Sequence, residues 1–251
     1  MSLLGALAVT LVMFVGAAWA GPPFFTDDPE TVEPQHWEFY VATQFQKDKN
    51  GDRSGTFPHF ELNYGLVEDV QLHMILPLAW NQPNGQSTKY GLGDLELGVK
   101  YRFIHERDNI PQVAFFPIVD LPTGDSDQDL GAGETKVFLP LWFQKSSGDW
   151  TSYAGGGYWI NPGAVNQNYW FTGWTVQRKL NDYLSLGAEI FYAGPDTVDA
   201  QDRVGFNVGA IVNLTEEHHI LLAAGRDIQG DNDLSMYLAY QFTFGPKENG
   251  N

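Results

Sequence analysis

The stretch from Asp94 to Phe103 limits the folds open to this chain more than any other. Leu95, Leu97, Val99, Tyr101 and Phe103 alternate with Asp94, Glu96, Gly98, Lys100 and Arg102. One set is wholly apolar and the other is polar or glycine. A helix would scatter both sets around its circumference, whereas a strand sends them to opposite faces. The pattern returns along the chain. Trp37, Phe39, Val41 and Phe45 alternate with Glu38, Tyr40, Gln44 and Gln46. Val70, Leu72, Met74 and Leu76 alternate with Gln71, His73, Ile75 and Pro77. Leu238, Tyr240, Phe242 and Phe244 alternate with Tyr237, Ala239, Gln241 and Thr243.

Cutting at turn residues predicts about twelve strands, near 36–46, 56–64, 70–80, 93–104, 111–120, 134–144, 150–160, 169–179, 183–192, 203–213, 218–226 and 234–244. Each runs about nine to eleven residues, the length a tilted strand needs to cross a bilayer. The connections alternate between short (65–69, 105–110, 145–148, 180–182, 214–217) and longer (47–55, 81–92, 121–133, 161–168, 193–202, 227–233). This is the pattern of short periplasmic turns and long extracellular loops. The expected fold is all-β: a closed antiparallel transmembrane β-barrel over 36–244. Closure matters because a strand whose apolar face meets lipid must pair all its backbone groups and can leave no edge. Trp37, Tyr64, Trp80, Tyr101, Trp142, Trp159, Tyr192 and Phe244 fall near predicted strand ends, where an aromatic girdle meets the headgroups. A secreted β-sandwich also alternates, but rarely with strands this uniform or one face this aromatic.

The N-terminal stretch has a different character. Ser2 to Ala20 is uncharged and mostly apolar, ends in Ala18-Trp19-Ala20, and precedes Gly21-Pro22-Pro23. Small residues two apart before a helix-stopping proline pair predict a signal peptide over 1–20, although no Lys or Arg precedes the apolar run. Residues 21–35 then form a periplasmic segment able to enter the lumen as a plug, and 245–251 form a polar tail. The expected location is the bacterial outer membrane after cleavage near Ala20.

Composition excludes several functions. The chain carries 14 Lys+Arg against 31 Asp+Glu, a net charge of −17, so it has no excess of cations with which to hold nucleic acid. It has no Cys, which removes thiol catalysis and Cys-ligated zinc. The six histidines are 36, 59, 73, 105, 218 and 219. His59 and His73 form the only mid-strand pair, and no serine stands beside them for a nucleophile–base arrangement. Asp125, Asp127 and Asp129 resemble a calcium loop, but Leu130 replaces the required glycine and Lys136 the closing glutamate. No cofactor, metal site or catalytic group is expected, and the protein is read as a non-enzyme. The acidic loops, with Asp227, Asp231 and Asp233 in a second group, could meet lipopolysaccharide through divalent ions. Outer-membrane lipids and a small solute are the expected partners, and oligomeric state is open.

Several segments resemble a known family. These are TDDPETVEPQHWEF (26–39), GLGDLELGVKYRF (91–103), and LPTGD (121–125) followed by GAGETKVFLPLW (131–142). Together they are similar to the MetA-pathway phenol-degradation family of outer-membrane proteins, across most of 24–244. Gln35 departs from the glycine that the resemblance expects there. The resemblance implies a transporter-like barrel, and, less directly, aromatic solutes.

The polar register predicts an inward set. Its lumen-lining candidates are His59, Glu61, Gln71, His73, Glu96, Lys100, Arg102 and Glu189, with Asn63, Asp94, Thr175, Gln177, Asn207 and Gln241 on the same face. Both signs are present. They either bridge one another and plug a narrow barrel or line a pore across which a transverse field orients solutes. Twelve strands lie between a barrel filled by side chains and one with a wide channel. The expected function is a passive channel for a small solute, aromatic or hydrophobic. The alternatives are a non-conducting structural or surface-interaction barrel and, less favoured, an outer-membrane lipid-modifying enzyme.

Overall fold

A computed structural model describes residues 23–230 and 232–246. The signal peptide and its cleavage site, Asp231, and all but the first two residues of the tail lie outside the described residues.

One antiparallel sheet holds every strand: β1 (Trp37–Lys47), β2 (Arg53–Val67), β3 (Val70–Gln82), β4 (Lys89–Leu92), β5 (Leu95–Ile104), β6 (Gln112–Phe115), β7 (Ile118–Leu121), β8 (Lys136–Ser147), β9 (Trp150–Ile160), β10 (Tyr169–Asn181), β11 (Leu184–Ala193), β12 (Arg203–Asn213), β13 (His218–Gln229) and β14 (Leu234–Phe244). β4 and β5 both pair with β3 and form one stave, broken at Gly93-Asp94. β6 and β7 both bridge β5 and β8 and form another, broken at Phe116-Pro117. The segments therefore make twelve staves. β1 pairs with β14 from Trp37↔Phe244 to Lys47↔Leu234, which closes the barrel.

The second break has a local cause. Pro117 has no N–H to give the ladder. The surrounding groups stay paired: Pro117 O accepts from Val99 N at 3.2 Å, and Phe116 N donates to Pro140 O at 3.3 Å. The turns at 68–69, 148–149 and 182–183 are short and share one rim with the start of β1 and the end of β14. The loops at 122–135, 161–168 and 194–202 open on the other rim.

Burial follows the period of two. Leu97, Val99, Tyr101 and Phe103 on β5, Leu139, Leu141 and Phe143 on β8, and Met236, Leu238 and Tyr240 on β14 all face outward and are exposed. This apolar belt is matched to a hydrocarbon core. At the short-turn rim Trp37 packs on Tyr64 with centroids 4.2 Å apart and lies parallel to Phe244 at 6.4 Å. The girdle expected from sequence needs one correction. Trp142 is only 2% exposed and packs inside with Phe116 and Phe138, and Trp159 joins that cluster. β8 is apolar on both faces along Val137–Phe143, so alternation there carries no information about direction.

Candidate functional site

The side chains of His59, Glu61, Gln71, His73, Glu96, Lys100, Arg102 and Glu189 lie inside the barrel, and the structure divides them into two groups. Gln71, Lys100, Arg102 and Glu189 hold the chain's own residues 23–35, which run inside the staves. His59, Glu61, His73 and Glu96 border an open cavity.

The internal segment is anchored along its length. Glu189 accepts from Thr26 N at 2.5 Å, Thr26 Oγ1 at 2.6 Å, Phe25 N at 3.2 Å and Asn207 Nδ2 at 2.6 Å. Lys100 Nζ donates to Asp27 Oδ1 at 3.1 Å and to Asp28 O at 3.0 Å, and sits 4.8 Å from the Phe116 ring centre. Arg102 reaches Glu30 and Asp69, each at 2.8 Å. Gln71 Oε1 accepts from Val32 N at 3.0 Å. Gln112 and Gln144, which sequence reasoning did not single out, both donate to Glu30 Oε1. Lys100 therefore meets an acid of the N-terminal segment, and Arg102 divides between Glu30 of that segment and Asp69 of the β2–β3 turn.

Glycine makes room for this segment. A Cβ on Gly187 or Gly209 would come within 2.8 or 3.0 Å of the Phe24 ring, and one on Gly173 would collide with the Thr26 hydroxyl. These inward glycines are the slot in which Phe24 and Thr26 sit. At the other end Pro34 bridges Gly65, and Gln35 N donates to Gly65 O at 2.6 Å. Gln35 adopts φ = 64°, a left-handed conformation that costs glycine least, which gives a physical reason for glycine at this position.

Above the segment is a cavity of about 720 Å³ that reaches the long-loop rim at Asp196, Gln201 and Asp233. Its two walls differ. On the polar side Asn63 Nδ2 donates to Glu61 at 2.9 Å, His73 Nδ1 meets Asn63 Oδ1 at 2.6 Å, and His73 Nε2 meets Glu96 Oε1 at 2.8 Å. That chain crosses β2, β3 and β5. His59 lies beside it, 3.3 Å from Thr56 Oγ1. On the other side, Phe138 stacks on Trp159 at 4.7 Å and meets Phe171 edge-on at 6.2 Å, with Trp142 edge-on to Phe171 at 6.4 Å. Phe24 and Phe25 of the internal segment also line the cavity.

The 91–103, 121–125 and 131–142 segments meet at one point. Asp94 accepts from Gly124 N at 3.0 Å and Ala132 N at 2.6 Å. Thr123 Oγ1 donates to Gly93 O at 2.9 Å and accepts from Leu95 N at 2.9 Å. The carboxylate thus pins the 122–135 loop across the β4–β5 break. Asp125 caps a short 3-10 turn, Ser126–Gln128, by accepting from Asp127 N, and Asp129 pairs with Lys89 at 3.6 Å. Among the described residues no three His, Asp or Glu side chains group to hold a metal.

A closed barrel with an apolar belt outside and a polar, partly open interior defines an outer-membrane β-barrel protein. The chain belongs to the family described as "Putative MetA-pathway of phenol degradation", whose model matches residues 20–235. No curated protein matches it. Among solved structures it is similar to the COG4313 outer membrane channel from Pseudomonas putida F1, at 17% identity and a TM-score of 0.70, covering 86% of this chain and 98% of that one. It is also similar to the KdgM porin in complex with disordered oligogalacturonate, at 9% identity and a TM-score of 0.58, covering 82% and 99%. The translocator domain of the autotransporter NalP from Neisseria meningitidis matches at 13% identity and a TM-score of 0.56, covering 84% and 90%. These likenesses establish the fold.

Proposed function

We propose that the protein is a passive outer-membrane channel for a small aromatic or hydrophobic solute, with residues 23–35 as a plug in the periplasmic half of its lumen. The observation that carries this reading is how the interior is filled. Glu189, Lys100 and Arg102 all bond a chain segment that enters from the short-turn rim, and none of them bonds another across the lumen. A filling made of a terminal segment can leave, and what it leaves behind is a pore between hydrophilic walls. Solute would enter the cavity from outside and pass when the segment yields, with no covalent step and no cofactor. Family membership and the COG4313 channel's likeness support the same reading. Lipid surrounds the barrel on this reading, and the acidic loops face lipopolysaccharide.

The second reading, a non-conducting barrel, is favoured by the number of hydrogen bonds that hold the segment. Planar-bilayer recordings decide between them. The mature chain should give small or intermittent conductance, and a chain lacking 23–35 should conduct several times more. Silence from both, in barrels shown to be folded, would establish the non-conducting reading.

A further inference from the structure

We infer that the cavity above the internal segment is a selective site for a planar aromatic solute that carries a hydrogen-bond donor and no negative charge. It turns aromatic carboxylates away. This rests on the channel reading and names the class of solute it takes.

Size is the first argument. About 720 Å³ lies within the range of roughly 300–1,000 Å³ that small-molecule sites occupy, so a one-ring solute enters with its first waters. The apolar wall is the second. Phe138, Trp159 and Phe171 present rings already set parallel and edge-on to one another at 4.7 and 6.2 Å. An incoming ring can extend that packing at the offset and edge-on separations aromatic pairs prefer. An aliphatic ring of the same size gains burial there but no quadrupole match.

The opposite wall sets the polar requirement. An ionised carboxylate only accepts hydrogen bonds and has room for about four. The bonds from Asn63 and His73 fall on one oxygen each of Glu61 and Glu96. A hydroxyl or amine on the solute suits this wall.

Charge excludes the aromatic carboxylates. Asp27, Glu61, Glu96, Asp196 and Asp233 line the cavity against Arg203. Asp27 is held by Lys100, and Arg203 is held by Asp233 at 3.2 Å. Glu61, Glu96 and Asp196 then face the space against one compensating cation, His73, whose two ring nitrogens meet the acceptors Asn63 Oδ1 and Glu96 Oε1 and so both carry a proton; three acids against one cation leave the wall negative. A carboxylate solute adds a further negative charge where protein walls reduce screening. An ammonium gains from both the acids and the ring faces.

Equilibrium dialysis of the detergent-solubilised mature chain against phenol, benzylamine, benzoate and cyclohexanol tests the inference. Phenol and benzylamine should bind more tightly than cyclohexanol, and benzoate should bind at least about tenfold more weakly than phenol. Glu96→Gln and Asp196→Asn should each narrow the phenol–benzoate gap, and Phe171→Leu the phenol–cyclohexanol gap. A heat-shifted band in SDS certifies folding of each variant; if Glu96→Gln does not fold, the loop variant Asp196→Asn carries the charge test. Benzoate matching phenol, cyclohexanol matching phenol, or an unchanged phenol–benzoate ratio in the folded charge variants would overturn the inference. Swelling of proteoliposomes in glycerol is measured alongside. Swelling without aromatic preference in dialysis overturns this inference alone. Preference in dialysis with no swelling, even without 23–35, overturns the channel reading and leaves the site standing.

Discussion

The two halves of the lumen share the same staves and are filled by opposite means. Toward the periplasm, Thr26, Asp28 and Glu30 are buried among Glu189, Lys100, Arg102, Gln112 and Gln144, and glycines replace side chains where the segment presses against the wall. Toward the outside, Phe138, Trp159, His73 and Glu96 border open space. Twelve staves enclose more room than their own inward side chains occupy. The difference shows that the protein fills one half with a separate piece of chain and leaves open space in the other. In the lower half Lys100 and Arg102 pair with Asp27, Glu30 and Asp69, and Glu189 is held by neutral donors, whereas in the upper half Glu61 and Glu96 border open space.

That contrast can be broken most severely at Lys100, which is 1% exposed. Lys100→Glu sets a carboxylate against Asp27 and the Asp28 carbonyl. Breaking one partner of a buried pair costs about 3–5 kcal/mol. The compact band in SDS should convert at a clearly lower temperature, and protease should cut within 23–35. Adding Asp27→Lys should recover part of the loss, since contacting residues couple. Unchanged heat resistance and protection would mean that this contact does not hold the segment.

A smaller effect is expected at Glu189. Glu189→Ala leaves Thr26 and Asn207 donors without their acceptor, at about 2–3 kcal/mol for hydrogen bonds to a charged group. Protease should reach the segment more slowly than in Lys100→Glu, and bilayer conductance should rise only in part. In the upper half, Phe171→Ala should cost only about 1–2 kcal/mol, below the roughly 3–5 of a closed core, because its ring already borders a void. A loss as large as that of Lys100→Glu would show both halves to be equally packed and would end the comparison.

The smallest effect on stability belongs to the rims. A tag at Asn84-Gly85, in the loop between β3 and β4, should be reachable on intact cells. One at Gly148-Asp149, in the turn between β8 and β9, should not, and neither should change heat resistance. The reverse labelling would invert the assignment of the two halves.

Where a strand's two faces differ, its direction could be read without the structure. β5 is the plainest case: Glu96, Lys100 and Arg102 point inward and Leu97, Val99 and Tyr101 outward, as their alternation requires. The same reasoning fails on β8, where Phe138 and Trp142 turn inward between Leu139, Leu141 and Phe143. All are apolar, so a one-residue shift of register would look the same in sequence. The aromatic wall of the cavity, and with it half of the candidate site, was hidden for that reason. A sequence cue did exist for the slot, since Gly173, Gly187 and Gly209 sit at inward positions of neighbouring strands, but it reads equally as curvature.

Local order is what the sequence by itself determined: strands long enough to span a bilayer, short and long connections in alternation, and a polar face on most staves. These follow from a period of two and from turn chemistry, which are properties of neighbours in the chain. Only the tertiary structure decided what those polar faces meet. Lys100 finds Asp27, Arg102 finds Glu30, Glu189 finds Thr26, and His73 finds Glu96. The first three pairings depend on the path of residues 23–35 through the closed barrel, the last on the register of β3 against β5, and no periodicity along one strand encodes either.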